Sequence, residues 1–174
     1  MPESFAPVVG KNPKALILGS MPGIASLKKN RYYAHPQNQF WRLLGAAIQE
    51  NLAEMDYDAR LKTLQRRGIA LWDVLASCSR EGSLDADISD EEPNAVAALL
   101  RETGIKAVFL NGSKAASAFR AFIAESLPDG VAVVKLPSSS PAHASLSFEE
   151  KLAAWKSVAG ALVPRKGLKQ SRPE

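Results

Sequence analysis

Four short apolar runs, each followed by a stretch with helical spacing, limit what this chain can become. They are KALILG (14–19), IALWDVL (69–75), IKAVFLN (105–111) and VAVVKL (131–136). Each is apolar mostly at successive rather than alternate positions. A strand of that kind is buried on both faces, which happens when helices cover both sides of a parallel sheet.

The stretches between the runs carry the helical period. From Phe40, the residues Trp41, Leu44 and Ile48 fall at i, i+3 and i+7. YDARLKTLQRR is the next predicted helix, with Gly68 as its stop. Ser89 and Glu92 match a capping box ahead of the helix NAVAALLRETG, which Gly104 closes. GSKAASAFRAFIAESL is the helix after the third run. A second capping box, Ser147 with Glu150, opens a last helix through about Val163, with Leu152, Trp155, Ala159 and Leu162 as its apolar stripe. The segment between Gly19 and Phe40 and the segment SCSREGSLDADI (77–88) read as loops. Strand and helix alternate, and crossovers are right-handed. The expected fold is therefore α/β: three layers, α/β/α, around a four-stranded parallel sheet in the order 2-1-3-4. Residues 1–163 are expected to form one domain and 164–174 a basic, disordered tail.

A chain of 174 residues buries a sufficient core without staples. Its one cysteine, Cys78, excludes an internal disulfide, fits a reducing compartment and reads as a small buried side chain. No run approaches the roughly 18 to 20 apolar residues of a membrane span. The N-terminal MPESFAPVVGKNPK lacks the layout of a signal peptide, so a cytoplasmic protein is expected. The net charge is +4, and the tail (Arg165, Lys166, Lys169 and Arg172 against Glu174) supplies +3 of it. Position matters more than the total: Lys28, Lys29 and Arg31 cluster in the loop after the first strand.

In open α/β sheets ligands bind at the carboxyl ends of the strands. Four segments emerge there: the loop after Gly19, the Asp73 region, NGSK after Leu110, and PSSSPAH after Leu136. No phosphate-loop consensus occurs in the sequence, and GSMPG is not G-x-G-x-x-G. The two histidines and one cysteine have no zinc-ligand spacing, so neither metal nor cofactor is expected. PSSSP lacks the G-x-S-x-G elbow of serine hydrolases.

GSMPG follows a buried strand, and its glycines let the backbone turn and approach a ligand. PSSSP offers three hydroxyls between two stiffening prolines, suited either to phosphate contacts or to a capped turn. Tyr32 and Tyr33 suit either stacking on a base or core packing. Asn38, just ahead of an apolar helix, reads as its N-cap or as a site residue. Asp73, at a strand end, reads as a loop-capping carboxylate or as a site residue. Arg80 is expected either to touch phosphate or to pair with Asp85 or Asp87.

Together GSMPG, YYAHPQNQFW and LPSSSPAHA resemble the uracil-DNA glycosylase superfamily, in particular its hypoxanthine-DNA (deoxyinosine) glycosylase branch. The likeness runs from about Lys14 to Val163 and is weaker at LWDVLASCSREGSLDADI and FLNG. AHPQNQFW is also similar to a stretch of the mismatch-specific uracil glycosylases. In several branches the first motif carries an Asp or Asn that orients the attacking water; here Met21 holds that place. In the hypoxanthine branch the catalytic residue is an Asn in the stretch matching HPQNQFW, which is Asn38. The last motif often opens with a base-holding His or Asn; here Leu136 opens it, and His143 stands where many relatives have Asn.

The resemblance implies a metal-independent, monofunctional hydrolase that flips hypoxanthine out of DNA and leaves an abasic site. Asn38 would position water. Gly19, Ser20, Met21, Pro22, Gly23, Tyr33, Phe40 and Asp73 would surround the base, with Tyr33, Tyr32 or Phe40 stacking on it. Ser138, Ser139, Ser140, Pro141, Ala142 and His143 would meet the DNA. The implied partner of the monomer is double-stranded DNA with a deaminated base, single-stranded DNA being an alternative. Rival readings are a uracil or xanthine glycosylase, a non-catalytic DNA binder, and a small-molecule nucleotide-binding protein.

Overall fold

A computed structural model describes residues 3–163; the expected basic tail at 164–174 lies outside the described residues. The first strand, β1 (Ala15–Gly19), is buried along its whole length. It has a parallel neighbour on each side, β2 (Ile69–Asp73) and β5 (Ala107–Asn111), and β5 pairs in turn with β6 (Ala132–Leu136). The order β2-β1-β5-β6 is the expected 2-1-3-4 arrangement.

Alternation along β1 divides the core in two. Ala15 and Ile17 point into the cluster built on α2 (Phe40–Ile48), α3 (Tyr57–Arg67), α6 (Phe148–Trp155) and α7 (Ser157–Leu162). Leu16 and Leu18 point into the cluster built on α4 (Val96–Thr103) and α5 (Ser113–Phe122). A helix layer on each face explains why β1, β2 and β5 read as continuous apolar runs, whereas β6, expected to be buried likewise, is an edge strand exposed at Ala132, Val133 and Lys135. Trp41, Leu44 and Ile48 are all buried, as their spacing requires. Gly68 ends α3 at φ 81, and a Cβ there would stand 3.0 Å from the Asn12 carbonyl oxygen.

Local pattern misled in four places. The loop after β1 contains a short helix, α1 (Ile24–Lys29). IALWDVL is not one strand: the chain leaves the sheet after Asp73. It continues as β3 (Leu75–Ser79), which forms a separate antiparallel pair with β4 (Ser89–Pro93). The sequence of β4, SDEEP, has little β propensity and is mostly exposed; backbone pairing with β3 makes it a strand. The capping box at Ser89 and Glu92 therefore does not form. Pro93 supplies the reason, because it disfavours helical backbone at Glu92. The helix starts only at Val96, without a side-chain cap.

The fourth difference concerns the last helix. Its capping box at Ser147 and Glu150 forms with both hydrogen bonds, but the helix is interrupted at Lys156 and continues as α7. Lys151, beside the expected apolar stripe, is buried as well. Cys78 is buried, as expected. The segment ahead of β1 also contributes: Val8 exchanges backbone hydrogen bonds with Leu71 and so covers the free side of β2.

Trp155 joins three of these parts. It is fully buried, meets Phe40 edge-on at 5.5 Å, and donates its indole N–H to the Pro137 carbonyl at 2.9 Å. Trp155→Phe is expected to lower the unfolding free energy by roughly 1 to 3 kcal/mol, since it leaves that carbonyl unpaired in a tight core. Urea denaturation followed by circular dichroism measures this; an unchanged midpoint would show that the tie carries no stability.

Candidate active site

The strand register brings two polar residues, Asp73 and Asn111, to one edge. Gly19 lies opposite Asp73 across β1 and β2, and Asn111 ends β5 opposite Leu136. Around this edge is a cleft of about 490 Å³. Its walls are the 19–26 segment, the turn at 32–38, the tip of the β3–β4 hairpin at 83–86, and the 138–143 loop. Gly19, Ser20, Met21, Pro22, Gly23, Tyr33, Asn38, Asp73, Ser138, Ser139, Ser140, Pro141, Ala142 and His143 all lie on that lining.

Phe40 is the exception. It is fully buried, and its ring lies parallel to that of Tyr33, with centroids 3.8 Å apart and planes 7° apart. A base therefore cannot stack on Phe40; Tyr33 is the ring on the cleft, and Phe40 backs it. Tyr33 is held at φ 53, and burial raises its phenol well above the ordinary value, so it stays neutral. Tyr32 lines the cleft but is 4% exposed, with its hydroxyl donated to the Ala6 carbonyl at 2.9 Å.

Gly19 is required where it stands. A Cβ there would lie 2.6 Å from Asp73 Oδ1 and 2.8 Å from the Tyr33 hydroxyl. The approach of these two polar atoms to the strand end depends on a residue without a side chain.

Asp73 is 3% exposed, and its Oδ2 has no hydrogen-bond partner among the described residues. Its backbone is fixed by Asn94, whose amide donates to the carbonyls of Asp73 (2.8 Å) and Leu75 (3.1 Å). Burial pushes the Asp73 carboxyl up to about 7; the Asp85 charge acts in the same direction and Arg80 opposes it. An acid in that state can donate a hydrogen bond near neutral pH.

Asn38 lies on the cleft wall next to the start of α2. Its Oδ1 accepts the Phe40 backbone N–H at 2.9 Å, although Gln39 is the formal N-cap. An amide oxygen carries two lone pairs, so the second remains available to a water.

The hairpin tip is moored to GSMPG. Ser20 donates to Asp85 at 2.6 Å, and the Ile24 N–H donates to Ser83 Oγ at 2.7 Å. Arg80, its side chain only 2% exposed, donates to the Pro22 carbonyl and pairs with Asp85 at 3.6 Å. Of its two expected roles, Arg80 thus takes the ion pair. Leu84 and Ile24 remain exposed on this wall and give it an apolar lip.

The serine loop is divided in function. Ser139 is buried, contrary to the expectation of a DNA contact. It is bound to Asn111, whose Oδ1 accepts the Ser139 N–H at 2.9 Å and whose Nδ2 donates to Ser139 Oγ at 3.0 Å. Ser138 and Ser140 accept backbone N–H groups two residues on, shaping the turn, and remain part-exposed on the cleft. Asn111 also reaches the Tyr33 hydroxyl at 3.4 Å. The sequence reading did not place Asn111 among the site residues; its signal was a polar residue ending an apolar strand in FLNG. Lys114 borders the cleft and is paired with Glu91 at 2.8 Å. Lys28, Lys29 and Arg31 are exposed around the end of α1, with Arg31 over the Tyr57 ring.

Comparison with known proteins agrees with this geometry. The family model described as "Uracil DNA glycosylase superfamily" matches residues 6–159. A Methanosarcina acetivorans protein named "Hypoxanthine DNA glycosylase" is 41% identical over 159 residues, covering 90% of this chain and 96% of its own. A Methanosarcina barkeri protein of the same name is 46% identical over 113 residues, 64% of this chain and 72% of its own. A Schizosaccharomyces pombe "G/U mismatch-specific uracil DNA glycosylase" is 36% identical over 93 residues, 53% of this chain and 27% of its own. A solution NMR structure from Methanosarcina acetivorans, provisionally described as a uracil DNA glycosylase, superimposes with a TM-score of 0.80. It is 39% identical and covers 92% of this chain and 97% of that one. The parallel sheet, the cleft at its carboxyl edge and the matched span all belong together: this chain is a member of the uracil DNA glycosylase superfamily.

Proposed function

We propose that this chain is a monofunctional DNA glycosylase that hydrolyses the N-glycosidic bond of deoxyinosine in DNA, releasing hypoxanthine and leaving an abasic site. The observation that carries the reading is one cleft joining Asn38, the ring of Tyr33 and the buried, partnerless Asp73 oxygen. Support for the lesion comes from the Methanosarcina relatives of that name.

The target base must leave the duplex, at a cost of a few kcal/mol that is smaller for a mispaired base. Double-stranded DNA with hypoxanthine opposite thymine is therefore the proposed substrate. Tyr33, stiffened by Phe40, receives the flat base. Hypoxanthine presents an N–H beside a carbonyl, and a neutral carboxyl is complementary to that pair. As the glycosidic bond breaks, the sugar becomes positive and the base negative. An ionised Asp73 would oppose the departing anion, whereas a protonated one donates to it. Asn38 cannot deprotonate water strongly, but its oxygen can hold one in line with the sugar, and position alone is a large effect. Ser138, Ser140 and the 141–143 segment are the proposed contacts to the DNA. Among the described residues, Lys114 is the one lysine on the cleft and is tied to Glu91, which argues against its serving a lyase step. One chain supplies every group in the scheme, which therefore runs in a monomer.

Uracil carries the same N–H and carbonyl pair, and the fission-yeast relative is named for it. A set of duplexes containing hypoxanthine, uracil or xanthine, scored by alkaline cleavage, decides the lesion. Asn38→Ala is expected to slow single-turnover excision by about 100-fold or more while binding to abasic duplex stays within a few-fold. Excision at the parent rate would remove Asn38 from the mechanism.

Asp73 predicts two pH dependences. The folded carboxyl keeps its proton up to about 7, whereas 3.8 is its ordinary value. Its contribution to stability is therefore complete below about 4 and is lost as pH rises to about 7. Asp73→Asn should be the more stable protein at pH 8, by on the order of 3 kcal/mol. The parent's excision rate should fall as pH rises through about 7, and Asp73→Asn should lack that fall. Parallel alkaline limbs in the two proteins would mean that another group titrates.

A further inference from the structure

Lys151 is unusual among the charged residues. It is 2% exposed, yet no salt bridge among the described residues includes it. It stands in the first turn of α6, where the partial positive charge of the helix end disfavours a cation. Among the described residues its ammonium makes one hydrogen bond, to Gln39 Oε1 at 3.0 Å. Burial lowers its basicity, as expected for an ammonium without a counter-charge. An apolar chain of the same length would fill this space without the desolvation cost. Such a local conflict tends to survive where function needs it.

What Lys151 touches shows what the need is. Gln39 lies between Asn38, which faces the cleft, and Phe40, whose N–H holds the Asn38 amide oxygen. The Gln39 backbone N–H donates to the Ser139 carbonyl at 2.9 Å. Gln39 is thus tied by its backbone to the 138–143 loop and by its side chain to α6. Its side-chain tie is the Lys151 ammonium. Resting on the role proposed for Asn38, we infer that Lys151 is a positioning residue: through Gln39 it fixes the turn that aims the Asn38 amide at the water.

A buried lysine kept for stability and one kept for positioning give opposite results on removal. Lys151→Met fills the same volume without charge. The expected outcome is an unchanged or higher melting temperature together with single-turnover excision slowed about tenfold or more. Abasic-duplex affinity should stay within about twofold of the parent. Gln39→Leu breaks the same tie from the other side, and the double variant should lose no more rate than either single one. Native-state hydrogen exchange adds a readout that needs no activity: the Phe40 amide should exchange about tenfold faster or more in Lys151→Met while α6 stays protected.

Excision within twofold of the parent, or a loss of rate in proportion to a loss of melting temperature, would overturn the inference. Unchanged exchange at Phe40 would overturn it too. If the parent spares hypoxanthine but removes another base, the comparison runs on that base and only the substrate reading falls. If the parent removes none, the proposed function falls and the exchange measurement still decides whether Lys151 holds the turn.

Discussion

The site depends on the absence of one side chain. At the carboxyl end of the central strand, Gly19 leaves open the space that a Cβ would contest with Asp73 Oδ1 and the Tyr33 hydroxyl. Parallel register on both sides of β1 does the rest, because it carries Asp73 and Asn111 to the same edge from strands far apart in sequence. Every wall of the cleft is attached to that edge. The 138–143 loop is held by Asn111, and the β3–β4 hairpin by Ser20, Pro22 and Ile24.

A carboxyl buried at such an edge cannot be ionised cheaply. Desolvation dominates at Asp73, and Arg80 opposes it only in part, being engaged with Asp85. The consequence is chemical rather than architectural: the group stays a hydrogen-bond donor into the neutral range. That suits a reaction whose leaving group gathers negative charge. In the proposed scheme Asn38 supplies the complementary half, a neutral oxygen that orients without titrating.

Both halves are supported from behind. Phe40 stiffens Tyr33, and its N–H orients Asn38. Trp155 meets Phe40 edge-on and ties Pro137, while Lys151 reaches Gln39. One short helix, α6, thereby braces the turn that carries Asn38 and the serine loop together. Groups carried on separate loops gain a common frame only through such packing.

The sequence by itself determined the class of fold. Continuous apolar runs such as ALILG can be buried only between two helix layers, and their alternation with helices leaves few ways to order the sheet. It also marked GSMPG, Asn38 and the serine loop, because glycine, proline and an amide before an apolar helix are local signals. Tertiary structure alone decided the remainder. SDEEP became a strand because β3 lay beside it, not from any preference of its own. Ser139 turned inward because Asn111, 28 residues away, offered it both a donor and an acceptor. Phe40 was withdrawn from the cleft behind Tyr33, and Lys151 was buried against a glutamine 112 residues distant. Periodicity records which face of an element is covered, but not which group from elsewhere covers it; these four outcomes are set by contacts that exist only once the chain has folded.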